Sequence, residues 1–443
     1  MIGANVVGVP PIEARPWRRA VAWLVFLAPF FFLTYAAANA VAVSRSHVPS
    51  IVFAWERHIP FLGWMIVPYW SIDVFYAASL FVCSTRVELA RLGRRLVTAQ
   101  IAAVVCFIFL PLRFTFERPE TYGAAGALFS VLTTFDKPFN QAPSLHIALL
   151  VIIWPLYAKH VPGATRWLLH AWFTLIGLSV VTTYQHHFFD VPTGALLGFF
   201  CLWLWPESGR SAIVDAGLSN DRRRLVVASR YAAAAALFGA LALWLRGVGL
   251  WLLWPAVSLT LVAANYAVFG PRGFQKDTDG RMNLGARLLL APYLVAAFVN
   301  SRSWTRRESE PVAISDSVWL GRIPRASEAA SFAAVVDLCA ELPGASTPRA
   351  WTCVPMLDLV APPPAQLREA AASIERGRAS GPVLVCCALG YSRAAATIAT
   401  WLMTTRSAHS VAEAVEKVRQ ARPRIIIDTT LRDAIAIAAE LGA

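Results

Sequence analysis

Long apolar runs without charged residues fill the first two thirds of the chain. The run 20–44, for example, lies between Arg19 and Arg45 and contains no charge. A helix needs about 20 such residues to cross a bilayer. A further run, 288–300, is short and contains Pro292, so we expect an interfacial or re-entrant piece there. The pattern predicts eight spanning helices, at about 20–44, 62–84, 97–116, 144–159, 166–186, 188–206, 230–246 and 249–269.

The pattern changes after about residue 305, where charged residues become frequent. Short apolar runs at 335–338 and 383–386 predict buried strands, and amphipathic runs at 393–404 and 410–420 predict helices. Together they indicate a soluble α/β domain. The predicted organisation is a membrane core at 1–206, an additional membrane hairpin with an interfacial linker at 207–304, and a soluble domain at 305–443.

Composition supports a membrane protein and excludes a wholly soluble or disordered chain. Hydrophobic residues make up 57% and charged residues 15% of the 443 residues. The net charge is +13, and residues 1–300 alone carry 24 Lys and Arg against 13 Asp and Glu. Because the positive charge belongs to the apolar part, it indicates inside loops and anionic lipid rather than nucleic acid. The seven cysteines show no zinc spacing and no secreted disulfide pattern, and we expect neither metal nor cofactor.

Lys and Arg also predict the orientation of the spans. Arg15, Arg18 and Arg19 place the N-terminus inside, and basic residues recur in every second loop. The segments 45–61, 117–143 and 186–190 are then expected at the outer face. The same alternation places the soluble domain in the cytoplasm.

Two histidine-containing segments share that predicted outer face. One reads APSLH at 142–146, and the other reads YQHHFFD at 184–190. His186 and Asp190 are four residues apart, so on a helix they lie on one face. The carboxylate would orient the imidazole, and two such histidines can divide phosphoryl transfer between nucleophile and acid.

These segments resemble the type 2 phosphatidic acid phosphatase (PAP2) superfamily. Pro143, Ser144 and His146 match its middle motif, Ser179, His186 and Asp190 its last, and Arg118-Pro119 the end of its first. The resemblance covers about 20–206 and implies the six-helix core of that family. It implies that His186 is the nucleophile activated by Asp190. It further implies that His146 protonates the leaving group, while Arg118 and Ser144 bind phosphate.

Two expected cations of the family are missing. Pro111 stands where the first motif has Lys, and Val180 stands where the last motif has Arg. This reduced set resembles the sphingomyelin synthase and inositol phosphorylceramide synthase branch, which transfers phosphoryl head groups to alcohols. Transfer to an alcohol is therefore an alternative to hydrolysis.

A second candidate site lies in the run VLVCCALGYSR at 383–393, which predicts a strand, a tight loop and a helix start. Cys387 and Arg393 are separated by five residues, so the loop between them can wrap its N–H groups around phosphate. Arg393 can hold two phosphate oxygens. Gly390 permits an unusual backbone angle, and Ser392 can help the thiol leave.

An acid, Asp358 in the segment 354–362, lies 29 residues before Cys387. With the segments 314–324 and 335–341, the region of about 312–440 resembles the dual-specificity and protein tyrosine phosphatases. The resemblance implies that Cys387 is the nucleophile, Asp358 the general acid and Arg393 the phosphate clamp, with Gly390 and Ser392 in the phosphate loop. Cys386 stands where that family usually has His.

The whole chain resembles bacterial fusions of these two phosphatase families. We expect a multi-pass protein of the bacterial inner membrane that hydrolyses lipid phosphates at an outer-face histidine site and phosphomonoesters at a cytoplasmic cysteine site. Membrane lipids are the expected partners, with a phosphorylated small molecule or protein as further substrates of the cysteine site. The alternative is a head-group phosphotransferase whose C-terminal domain regulates or binds phosphate. The sequence leaves the oligomeric state and the substrate lipid open.

Overall fold

A computed structural model describes residues 14–315, 317–345 and 350–441 of the protein. The chain divides into two compact units, Met1–Trp205 and Pro206–Ala443.

The first unit is helical. Its helices are α1 (Trp17–Val43), α2 (Ile66–Val82), α3 (Arg86–Phe109), α4 (Gly123–Phe135), α5 (Leu145–His160), α6 (Thr165–Thr182) and α7 (Asp190–Leu204). Within the described residues of the whole chain, five segments are long and apolar enough to cross a membrane: Trp17–Val43, Gly63–Val82, Arg86–Phe109, Arg222–Leu245 and Gly247–Phe274. Helices thus occur at every predicted span, and their passage through a membrane stays a prediction.

Two elements of the first unit differ from the predicted pattern. Helix α3 begins at Arg86 rather than at 97, because Thr85 caps it by accepting a hydrogen bond from the Glu88 N–H at 3.2 Å. The charged residues in the first turns of α3 lower the local hydropathy, so the sequence pattern there is that of a loop. Helix α4 lies inside the segment 117–143, which was predicted only as an outer connection.

Helices α5 and α7 pack unusually closely, and this contact positions the predicted histidine site. A Cβ at Gly194 would lie 2.4 Å from the Ser144 carbonyl oxygen, and one at Gly198 would lie 2.6 Å from the Val151 Cβ. Glycine at both positions therefore lets the two backbones approach. The start of α5 consequently meets the start of α7.

The second unit contains a mixed sheet in the order β1-β2-β5-β3-β4. Its strands are β1 (Val312–Ser315), β2 (Val318–Arg322), β3 (Ala334–Cys339), β4 (Ala350–Met356) and β5 (Val383–Cys387). Only the β1–β2 pair is antiparallel among these strands. The strands predicted at 335–338 and 383–386 are therefore present, both fully buried as their apolar runs require.

The α-helices among the described residues of the second unit fall into two groups. Four precede the sheet: α8 (Arg222–Leu245), α9 (Leu253–Ala264), α10 (Leu284–Leu289) and α11 (Ala291–Trp304). Five accompany it: α12 (Ala326–Ala329), α13 (Pro364–Arg378), α14 (Arg393–Thr404), α15 (Val411–Ala421) and α16 (Thr429–Glu440). Helices α14 and α15 match the amphipathic helices predicted at 393–404 and 410–420.

The segment between α9 and α10 is bonded to the sheet. The Cys353 N–H donates to the Thr278 carbonyl at 2.8 Å, and the Gly344 N–H donates to the Gly280 carbonyl at 2.7 Å. Lys276 forms an ion pair with Asp337 at 2.6 Å, and both side chains are completely buried. The region 206–304 therefore belongs to the same compact unit as the α/β domain.

Candidate active sites

The loop after β5 forms a tight turn around the sulfur of Cys387. The Gly390 N–H donates to Cys387 Sγ at 3.2 Å, and the loop ends at Arg393, the first residue of α14. Gly390 has φ of +74°, and a Cβ there would lie 2.5 Å from the Gly321 carbonyl oxygen. Only glycine fits this backbone. The N-terminus of α14 and the loop amides favour an anion at this position.

Arg393 lies buried behind the loop and binds three acceptors. Its Nη1 donates to Glu341 Oε2 and to the Met356 carbonyl, each at 2.7 Å, and its Nη2 lies 3.2 Å from Asp358 Oδ1. Burial alone would lower the pKa of Arg393, but the charges of Asp358 and Glu341 raise it well above its ordinary value. The guanidinium is thus charged and held in place before any phosphate binds.

Asp358 follows β4, close to Arg393, with its side chain 36% exposed. The sequence segment 354–362 is only partly a loop, because residues 354–356 complete strand β4. The Tyr266 hydroxyl donates to the Asp358 carbonyl at 3.2 Å, and the next residue, Leu359, has φ of +62°. Asp358 therefore lies at a sharp turn, and a hydrogen bond from Tyr266, in the segment after α9, holds this turn in place.

Glu341 connects these parts and was not singled out in the sequence. It accepts hydrogen bonds from Arg393, from the Asp358 N–H at 2.7 Å and from Cys339 Sγ at 3.2 Å. Its position after β3 was the available signal, since Asp358 and Cys387 stand at the same ends of neighbouring parallel strands, where sites in such sheets form.

Cys386 and Ser392 occupy different surroundings. Cys386 is fully buried opposite Asp337 on β3. Burial, and then the charge of Asp337, raises the pKa of Cys386 well above its ordinary value, so its thiol does not resemble the cation-forming His expected there. Ser392 is the residue before α14, and its hydroxyl makes no capping hydrogen bond to that helix.

The histidine motifs of the first unit also converge. His186 Nδ1 lies 3.2 Å from Asp190 Oδ2, and Asp190 is 1% exposed. The same carboxylate oxygen accepts from the His187 N–H at 3.0 Å. Ser144 caps α5, and its N–H donates to the Asp190 carbonyl at 3.1 Å. The two motifs are thus joined directly.

His146 and His186 line one cavity of about 400 Å³. The His146 ring stacks on Tyr69 with centroids 4.3 Å apart, and its Nε2 has no hydrogen-bond partner among the described residues. Asn140 lines the same cavity, with a buried Oδ1 that is likewise unpartnered among those residues. Polar groups in this state are suited to bind a ligand.

Arg118 lies in the extended segment between α3 and α4. Its guanidinium carbon lies 4.7 Å from the centre of the Phe129 ring, and its Nε is buried without a partner among the described residues. Burial lowers the pKa of Arg118, while Tyr69 and Asp136, both cavity residues, act in the opposite direction. Arg118 is therefore near the cavity without being one of its lining residues.

Two acids of the first unit were missed in the sequence. Glu56 Oε2 lies 3.0 Å from His187 Nδ1 and accepts from the Phe188 N–H at 2.9 Å. Asp136 accepts from the Tyr35 hydroxyl at 2.7 Å in the cavity wall, and burial raises its pKa. Their partners are far away in sequence, so the available signal was only an acid within a predicted outer segment.

Within the described residues, no group of three or more His, Cys, Asp or Glu side chains could hold a metal ion.

A family model matches the part of the chain that contains the second site. Residues 318–435 match the family described as "Dual specificity phosphatase, catalytic domain". No curated protein matches the chain.

Several solved structures are similar over the same share of the chain. Human DUSP28 is 28% identical, with 30% of this chain and 93% of that chain covered and a TM-score of 0.28. Tk-PTP in its active form is 28% identical, with 30% and 98% covered and a TM-score of 0.26. PTPMT1 in complex with PI(5)P is 18% identical, with 29% and 93% covered and a TM-score of 0.25. The match to the family model indicates that residues 318–435 form a dual specificity phosphatase catalytic domain, an α/β fold with a mixed sheet, and it is consistent with a cysteine-based phosphatase site.

Proposed function

We propose that the cysteine site hydrolyses phosphomonoesters through a phosphocysteine. The observation that carries the proposal is the loop in which the Gly390 N–H points at Cys387 Sγ while Arg393 and Asp358 lie against each other beside it. In the first step the thiolate attacks phosphorus, the ester P–O bond breaks, and Asp358 gives its proton to the leaving oxygen. In the second step water attacks the phosphocysteine, Asp358 takes the proton of that water, and the thiolate leaves with help from Ser392.

The contacts of Arg393 suggest how phosphate binding prepares the acid. Its Nη1 is held by Glu341 and the Met356 carbonyl, whereas its Nη2 faces Asp358. Phosphate oxygens would replace Asp358 at Nη2 and leave the Nη1 contacts in place. Asp358 would then be free to take up a proton and turn toward the leaving group.

Hydrolysis of an aryl phosphate by the full chain tests this proposal. Cys387→Ser should abolish turnover while keeping the binding loop, and Asp358→Asn should slow it by about 10² or more. Cys106→Ser, which replaces a cysteine of α3 in the first unit, serves as the matched control and should retain activity. Full activity of Cys387→Ser would show that the nucleophile is assigned wrongly.

We further propose that the histidine site acts on lipid phosphates. The pair of His186 with Asp190, and the unpartnered Nε2 of His146 in the same cavity, support it. His186 would attack phosphorus and His146 would protonate the leaving oxygen, with Ser144 and Arg118 near the phosphate. The test is phosphate release from labelled phosphatidic acid, which His186→Ala should stop.

Head-group transfer is the second candidate function for the histidine site, favoured by Pro111 and Val180 in place of cations. In that case the C-terminal domain would regulate the membrane site or bind phosphate. Product analysis with and without an alcohol acceptor separates the two. A new phosphodiester that forms only with the acceptor present would favour transfer over hydrolysis.

We propose that the protein is a multi-pass protein of the bacterial inner membrane, with the histidine site outside and the catalytic domain in the cytoplasm. The alternation of Lys and Arg in the loops supports this orientation. A reporter active only outside the cytoplasm, fused to the C-terminus, should stay inactive. Strong reporter activity would reverse the proposed orientation of the catalytic domain.

A further inference from the structure

A groove of about 550 Å³ lies between α11 and the catalytic domain in the second unit. Its two walls are apolar: α11 contributes Leu294, Val295 and Phe298, and the catalytic domain contributes Ile323, Leu342 and Pro343. Arg302 and Arg325 also line it. The groove is therefore amphipathic, with long hydrocarbon surfaces and two guanidinium groups.

The guanidinium of Arg302 is not fully satisfied. Its Nη2 donates to the Ile323 carbonyl at 2.9 Å, but Nε and Nη1 are buried without a hydrogen-bond partner among the described residues. Its carbon lies 4.8 Å from the centre of the Phe298 ring, which holds the side chain across the groove. Buried charged donors in this state call for an anionic acceptor.

The surrounding charges reinforce that requirement. Arg322 and Arg325 both act electrostatically on Arg302. The nearby carboxylate, Glu328, already accepts from Arg322 Nη2 at 3.1 Å and from the Arg325 N–H at 2.8 Å. One acid thus faces three arginines, and the groove retains a positive excess.

The exposed side chains of α11 indicate that the groove lies at a membrane surface. Val295, Val299 and Trp304 are 63%, 57% and 65% exposed, and Arg306 and Arg307 follow the helix. Exposed apolar side chains followed by arginines are typical of a helix at a membrane surface, where phospholipid head groups carry negative charge.

We propose that this groove binds an anionic phospholipid. The phosphodiester head group accepts hydrogen bonds from Arg302 and Arg325, and an acyl chain lies along Leu294, Val295 and Phe298. Free phosphate would satisfy the arginines but leave the hydrocarbon walls uncovered, so the groove selects a lipid.

Hydrogen bonds connect the groove to the phosphatase loop. Arg302 is bonded to the carbonyl of Ile323, whose N–H donates to the Cys387 carbonyl at 2.7 Å. Ser301, the residue before Arg302, donates to the Ala388 carbonyl of the same loop. An occupied groove would hold the phosphatase loop next to the membrane, whichever ester that loop hydrolyses.

The test uses the full chain in nanodiscs of phosphatidylcholine with a small fraction of phosphatidylglycerol that carries a photoreactive acyl chain. Phosphatidylglycerol is a phosphodiester and not a substrate of a phosphomonoesterase. Labelling should appear in peptides that contain 294–298 and 342–345. Arg302→Gln should reduce labelling there by about tenfold, since it removes charged hydrogen bonds to the head group.

Arg376→Gln is the matched control, because Arg376 is an exposed arginine of α13 in the catalytic domain that does not line the groove. It should leave labelling unchanged, and labelled peptides of α1 provide an internal standard. Arg325→Gln is the second variant, because Arg302 also holds Ile323 and its loss could disturb the fold. Thermal unfolding of each variant checks the fold without relying on enzyme activity.

The outcomes are distinct. Loss of groove labelling in both Arg302→Gln and Arg325→Gln, with unchanged melting in at least one of them, supports the lipid site. Unchanged labelling in both variants overturns it. Equal labelling by a photoreactive phosphatidylcholine, or complete displacement by inorganic phosphate, also overturns the assignment of an anionic lipid.

Discussion

At the scale of single residues, the loop between Cys387 and Arg393 depends on a backbone angle that only one residue type adopts easily. Gly390 combines φ of +74° with a close approach to the Gly321 carbonyl. Its N–H is also the donor to Cys387 Sγ. The same residue therefore sets the backbone path of the loop and supplies the hydrogen bond to the Cys387 sulfur.

Gly390→Ala should consequently damage both stability and turnover. We expect a loss of about 2 kcal/mol in the free energy of unfolding and about tenfold or more in kcat, because the added Cβ pushes the loop off β2. Gly217→Ala, where a Cβ would meet open space, is the control and should be nearly neutral. Denaturant titration and aryl phosphate assays measure both quantities. A neutral Gly390→Ala would mean that the loop is not held in this conformation.

The Glu56–His187 pair gives a prediction on pH. The Thr115 N–H donates to His187 Nε2 at 3.1 Å, so Nδ1 carries the proton and donates to Glu56. Burial alone would raise the pKa of Glu56, but hydrogen bonds from His187 and from the Phe53 and Phe188 N–H groups lower it below 4.5. The stabilisation is thus fully present above pH 4.5 and is lost as the pH falls through the lowered value.

Glu56→Gln should therefore lower the melting temperature most at neutral pH, by an amount that corresponds to about 2 kcal/mol. The difference from the unaltered protein should shrink on acidification below the folded pKa of Glu56. Glu117→Gln, which replaces an exposed acid of the predicted outer segment, is the control. A deficit that does not change with pH would contradict the assigned charge.

At the scale of elements, a buried ion pair joins the segment between α9 and α10 to the sheet. Lys276 Nζ donates to Asp337 and to the Cys339 carbonyl, both at 2.6 Å. Burial alone would lower the pKa of Lys276, but the charge of Asp337 raises it above its ordinary value. Lys276, the buried partner of Asp337, therefore lies outside residues 318–435, the part of the chain that matches the family.

Lys276→Met should cost about 3–5 kcal/mol in the free energy of unfolding, because it leaves Asp337 buried and uncompensated. Adding Asp337→Asn should recover part of that loss. Lys417→Met, which breaks an exposed pair with Glu413, should cost about 1 kcal/mol or less. Chemical denaturation of the three variants decides the matter, and equal losses for Lys276→Met and Lys417→Met would refute the role of the buried pair.

At the scale of the whole molecule, each of the two compact units contains one candidate site. His146, His186 and Asp190 belong to the first unit, and Cys387 with Arg393 belongs to the second. Each site is built from residues of its own unit. The two proposed reactions should therefore be separable by substitution.

We expect Cys387→Ser to abolish aryl phosphate hydrolysis and to leave turnover of lipid phosphate at the histidine site unchanged. His186→Ala should have the opposite effect. Both substrates are assayed on the same full-chain preparations, so that each variant serves as the control for the other. A variant that lost both activities while remaining folded would show that the sites act together.

Local patterns in the sequence determined much of this protein. Apolar runs indicated the helices, and a strand, loop and helix start in one short segment brought Cys387 and Arg393 together, because neighbouring residues have few ways to be arranged. Pairs distant in sequence were decided only by the tertiary structure. Glu341 meets Arg393 across 52 residues, Lys276 meets Asp337 across 61, and Glu56 meets His187 across 131. No period or motif encodes such contacts, since they depend on which strands and helices become neighbours when the apolar faces are buried.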